Sequence, residues 1–148
     1  MTEEAAGPVW PSASPPPATP LLAWSLENVA ELPRVRADLR RHAAAAARSS
    51  DVPANLDLRD QLILALDEMA SNALRHGRGG VRATVRQTPD AYLIEVSDQA
   101  TANPPAPAVG RDPSEGGLGL YLIAEMATAH GWYVSHGYKY VWALLPRG

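Results

Sequence analysis

The sequence predicts an α/β sandwich of the α+β kind: a mixed, mainly antiparallel sheet covered on one face by helices. Three observations carry that prediction. An apolar stripe of helical period runs from Leu58 to Gly77. Stretches alternating at strand period lie on either side of a long loop, at 81–98 and 132–145. Further helical segments precede the first of these and precede the second.

Taken in order, the chain opens with Pro8, Pro11, Pro15, Pro16, Pro17 and Pro20 among Ala, Ser and Thr. A stretch of this composition pairs little backbone and buries little surface, so residues 1–20 are expected to form a disordered tail and 21–148 the domain. A proline-rich docking peptide is the alternative, and no Arg or Lys flanks the prolines to support it. Leu21 to Leu26 reads as a short extended segment. Pro33 suits the first position of a helix running to about Ser49, with Val35, Leu39, His42, Ala43 and Ala46 inward. His42 follows two arginines. Nothing acidic or polar after it suits a phospho-acceptor site, so it reads as a surface or half-buried histidine. Ser50 to Asn55 form a loop, and Asp57 can cap the next helix.

In that helix Leu58, Leu62, Leu66, Met69 and Ala73 make the inner stripe. Gly77 supplies the stop, with Arg75 and His76 at the negative end of the dipole. Glu68 and Asn72, four apart, are neighbours on one face. A carboxylate beside an amide oxygen can hold a magnesium ion or accept a proton from a hydroxyl. A solvated face carrying a Glu to Asn contact is the alternative.

Gly77, Gly79 and Gly80 then open a hairpin. Val81, Ala83 and Val85 alternate with Arg82, Thr84 and Arg86. After the turn Thr88-Pro89-Asp90, Tyr92, Ile94 and Val96 share a face with Asp98. An inward carboxylate requires a partner, either a ligand donor such as a purine amine or a turn at the strand end. Gln99 to Glu115 is a long loop, which reads as a lid, a binding segment or disorder. Gly116, Gly117 and Gly119 enter a helix ended by Gly131. Glycines there let backbone amides approach a phosphate, or let the helix pack tightly on the sheet. Trp132 to Ser135 and Tyr138 to Leu145 form a terminal hairpin around His136-Gly137.

Composition narrows the function classes. The 148 residues are 46% apolar and 20% charged, with a formal net charge of −3. That charge exerts no general pull toward nucleic acid or an anionic membrane. No apolar run reaches membrane-spanning length and no signal-peptide pattern opens the chain, so a cytoplasmic address is expected. Cysteine is absent, which excludes disulfides, thiolate catalysis and cysteine metal sites. Lys139 is the only lysine.

The order Glu68-x-x-x-Asn72-Ala-x-x-His76-Gly77, a strand ending in Asp98, a variable loop and the Gly117-x-Gly119 helix start resembles the Bergerat-type nucleotide-binding fold of histidine-kinase catalytic domains, certain heat-shock chaperones, gyrase and MutL. The SNALRHG and GGLGL segments and the closing YVWALL strand most resemble anti-sigma-factor serine kinases of the RsbW type. The resemblance covers residues 21–148. It implies a mixed sheet with ATP held between helices and lid. Asn72 would hold Mg²⁺ between the phosphates, Glu68 would act as general base, and Asp98 would accept from the adenine amine. Gly117, Leu118 and Gly119 would lie at the phosphates, with His76 and Arg111 beside the nucleotide. The implied partners are a sigma factor or an anti-anti-sigma protein, with homodimers common among the resembled kinases. A protein-interaction module on the same fold, with weak or no ATP binding, is the other reading. A histidine-kinase fragment is a third, without a convincing phospho-acceptor helix. The family's Asp-x-Gly-x-Gly stands here as Asp98-Gln99-Ala100-Thr101-Ala102, so the turn must differ or bear strain. Glu115 is expected to face solvent, away from a triphosphate.

Overall fold

The computed structural model describes residues 10–48, 56–102, 104–105 and 118–147. In chain order they form β1 (Thr19–Leu26), a turn of 3₁₀-helix (Val29–Glu31), α1 (Leu32–Arg48), α2 (Leu56–His76), β2 (Val81–Gln87), β3 (Ala91–Asp98), α3 (Leu118–Met126), β4 (Ala129–Ser135) and β5 (Tyr138–Pro146). The five strands make one sheet in the order β1, β2, β3, β5, β4, and every strand pair is antiparallel. The mixed character expected of the sheet is reduced to its edge, where Ser12 makes an isolated parallel bridge to Trp132.

The helices lie on the front of this sheet. The stripe of α2 is buried as its period requires: Leu62, Leu66, Met69 and Ala73 are enclosed, with Leu58 half-buried. They meet the inward residues of the sheet, among them Val81, Ala83, Val85, Ile94, Val96 and Leu145, in one core. Each such side chain contributes about 1.5–3 kcal/mol on burial. Leu32, Val35 and Leu39 of α1 join the same core, while Ala43 and Ala46 lie outside the residues whose side chains are described. His42 is half-buried. Arg36 of α1 bonds Asp67 of α2 at 2.5 Å, and Trp24 Nε1 of β1 donates to Asp38 of α1 at 2.8 Å. At the β4–β5 turn His136 and Gly137 both have positive φ (53° and 84°), the pattern of a two-residue hairpin loop that follows the sheet's twist.

The N-terminal segment departs from the disordered tail expected of it. Residues 1–9 lie outside the described residues. From Trp10 onward the chain is bound to the sheet. Trp10 is buried on the front, edge-on to His130. Residues 11–13 then run along the β4 edge: Trp132 N donates to Pro11 O at 3.0 Å and Ala13 N to Trp132 O at 3.0 Å. Trp142 Nε1 on the back of the sheet donates to Ala13 O at 2.8 Å. Since Thr19 already pairs with Gln87 at the opposite side, the intervening residues cross the back of the sheet. The distance agrees: four strand spacings are about 19 Å, and six residues of polyproline-like chain reach about 19 Å. Prolines suit this role because such a strap needs an extended backbone and few donors. Beneath it Leu93, Glu95, Ser97 and Trp142 are buried, on a face that carries no helix among the described residues.

The same segment explains Gly131, expected as a helix stop. Helix α3 ends at Met126, and Gly131 lies within β4. A Cβ there would stand 2.9 Å from Pro11 O and 3.0 Å from the Trp142 ring, so the strap's passage requires glycine. Likewise β1 begins at Thr19 rather than Leu21 and β4 at Ala129 rather than Trp132.

Candidate functional site

Met69, Asn72, Ala73 and His76 recur along one face of α2 and form a wall of a cleft. Val96 and Asp98 of β3 and Lys139 and Val141 of β5 make its floor. Gly77, Leu120 and Pro105 complete the lining. The cleft has about 350 Å³ of empty space, open solvent included. Its walls are mostly apolar, with polar groups converging at one end, the usual make-up of a small-molecule site.

Asp98 lies at that polar end and is 2% exposed. The inward parity read from the strand is therefore correct, and so is the need for partners. Ala100 N donates to Asp98 Oδ1 at 2.6 Å, closing a turn at the strand end. The β3–β5 register places Lys139 opposite, with Nζ 3.7 Å from Oδ2. Gly77 completes the setting: a Cβ on it would fall 2.6 Å from Asp98 Cγ and 2.5 Å from Ala73 O. Any other residue would close the approach to the carboxylate.

The turn after Asp98 departs from the glycine-bearing pattern without the strain that alanine at positive φ would bring. Among described non-glycine residues only His136 has positive φ. Ala100, Thr101 and Ala102 avoid that region because Asp98 itself closes the turn, aided by Thr101 N to Gln99 O at 2.9 Å and Gln99 N to Arg78 O at 2.7 Å.

Glu68 and Asn72 sit on successive turns of α2, both half-buried. Asn72 lines the cleft, whereas Glu68 lies one turn away against the start of α3. A Cβ on Gly119 would stand 2.5 Å from Glu68 Oε2, so glycine here allows α3 to press against that carboxylate. As the second residue of α3, Gly119 also has an amide in the helix's first turn, where intrahelical acceptors are lacking. Both sequence readings of this glycine, tight packing and an available amide, describe the same position. His76 lines the cleft and is exposed. Gly117, Arg111 and Glu115 lie outside the described residues, and Leu118 begins α3 with its side chain outside them. Sequence reading missed Lys139, Pro105 and the part Gly77 plays against Asp98. Of these only Lys139 left a trace, as the chain's one lysine on an alternating strand.

A helix carrying Glu68 and Asn72 over an antiparallel sheet, with a buried carboxylate at a strand end, is the architecture of a Bergerat-type ATPase domain. The family model of the histidine kinase-like ATPase domain matches residues 29–143, and the chain belongs to that family. No curated protein matches it in sequence. Membership implies ATP binding, usually with Mg²⁺, and the cleft fits both. Asp98 and the Gly77 opening suit a base with an exocyclic amine. Among the described residues no group of three His, Cys, Asp or Glu side chains could hold a metal. Asn72 would thus bind Mg²⁺ together with phosphate oxygens and water, as this ion commonly binds. No helix among the described residues is long and apolar enough to cross a membrane.

Proposed function

We propose that this chain is an ATP-binding regulator acting as an anti-sigma-factor serine/threonine kinase, whose substrate is an anti-anti-sigma protein. The observation that carries the reading is the placement of Asn72 on the cleft wall one helical turn from Glu68, with Asp98 at the cleft's closed end. Bound ATP·Mg²⁺ would supply the transferable phosphoryl group and neutralise the charge developing on it. Asp98 accepts from the base and fixes its register. Asn72 holds the ion with its amide oxygen. Glu68 accepts the proton of the substrate serine hydroxyl as its oxygen bonds to the γ-phosphorus and the bond to the β-phosphate oxygen breaks, leaving ADP. The partner would be a sigma factor or its antagonist, in the cytoplasm, with homodimers as in the resembled kinases.

The packing of Gly119 on Glu68 supports a second reading, a protein-interaction module of the same fold that binds nucleotide without turnover. The two are separated by single-turnover transfer from labelled ATP to the anti-anti-sigma partner. Glu68→Gln is expected to keep nucleotide affinity and lose transfer by about 10²-fold or more, the scale of a general base. Equal transfer in the variant and the wild type rejects Glu68 as the base. Nucleotide binding with no transfer in the wild type supports the module.

A further inference from the structure

We propose that Lys139 is a specificity-positioning residue of this cleft: paired with Asp98, it keeps that carboxylate an acceptor only, so that the cleft takes a purine with an exocyclic amine and rejects one with a carbonyl there. The inference rests on the nucleotide reading above and adds a residue to it.

The geometry divides the labour between the two carboxylate oxygens. Oδ1 is committed to Ala100 N at 2.6 Å. Oδ2 faces the space that glycine leaves open at Gly77, where a Cβ would stand 2.7 Å away. Lys139 Nζ approaches this same oxygen at 3.7 Å, an ion-pair distance longer than a hydrogen bond. A carboxylate oxygen accepts more than one donor, so Oδ2 has capacity for a neutral N–H arriving from the cleft. Both side chains are nearly sealed from solvent, at 3% and 9% for Asp98 and Lys139. A carboxyl so buried needs a compensating charge or a proton.

That choice decides the base. A carboxylate beside an ammonium can accept from an amine and repels a carbonyl oxygen. A carboxyl that has taken up a proton both accepts and donates, and it serves either group. Lys139 removes the second option. His76 is the other basic side chain lining the cleft, and it stands exposed at the end of α2. Asn72, on the wall, can both donate and accept and so does not discriminate.

The test is calorimetric titration of ADP and of inosine diphosphate, which bears a carbonyl in place of the amine, into wild type, Lys139→Arg and Lys139→Gln. Thermal melting verifies that each is folded. Wild type and Lys139→Arg are expected to prefer ADP. Lys139→Gln is expected to lose about tenfold or more of that preference, the scale of one buried hydrogen bond gained or lost, chiefly through tighter binding of inosine diphosphate. Equal weakening of both ligands, with the ratio unchanged, overturns the proposal and assigns Lys139 a structural role. Failure of wild type to bind either nucleotide ends the nucleotide reading itself, and this inference with it. Should Lys139→Gln not fold, the wild type provides the measurement: methylation of its only lysine, followed by mass spectrometry, is expected to slow several-fold under saturating ADP. An unchanged rate overturns the proposal.

Discussion

At the scale of single residues, space decides as much as charge. Gly77 leaves open the approach to Asp98, and Gly119 lets α3 reach Glu68. Gly77→Ala is expected to destabilise the fold by about 1–3 kcal/mol through overpacking and to weaken ADP binding more than ten Lys-distant surface substitutions would together, since its Cβ points at the carboxylate. Parallel chemical denaturation and titration check both effects. Glu95 on the back of the sheet behaves differently. Burial raises its pKa from the ordinary 4.5, and the Tyr133 hydroxyl at 2.9 Å and the Arg86 guanidinium oppose that rise. Burial and the same contact push the Tyr133 phenol upward too. Because the folded state holds the Glu95 proton more tightly than the unfolded chain, this group favours folding most below pH 4.5 and loses that contribution as pH rises through its raised value. Glu95→Gln is expected to flatten this fall in a series of denaturant melts from pH 4 upward. An unaltered slope assigns the pH dependence to other groups.

Among the elements, the strap from Trp10 to Ala18 departs furthest from what composition suggests. Prolines and small residues read as a tail because such side chains bury little. Yet the strap works through its backbone at the β4 edge and through one aromatic, Trp10, whose side chain is 4% exposed. Trp10→Ala is expected to cost about 3–5 kcal/mol, as for other buried tryptophans, with a matching loss of melting temperature. A change within the range of surface substitutions would place the segment outside the folding unit. The helices and hairpins were legible because their periods are local: the stripe of α2 and the parity of Asp98 follow from residues a few positions apart. Lys139 against Asp98 was not, since that contact depends on the register between strands distant in sequence. Gly131 was misread for the same reason, because its neighbour Pro11 comes from the other end of the chain.

For the whole molecule, the family pattern of a carboxylate and an amide on one helix, a strand-end Asp and a glycine-bearing helix start was legible in sequence. The arrangement then places Asn72, His76 and Asp98 around one cleft, with Glu68 a turn away. The phosphate-side residues Arg111 and Gly117 lie beyond the described residues, so the base end of the site is the part the fold defines. The central claim is that this cleft holds ATP with Mg²⁺ on Asn72. It is tested most directly by calorimetric titration of ATP with and without Mg²⁺ into wild type and Asn72→Ala. The account predicts saturable binding by the wild type that strengthens with Mg²⁺, and loss of that strengthening in the variant. No heat of binding to the wild type at millimolar nucleotide would contradict it, leaving the fold as a module for protein partners.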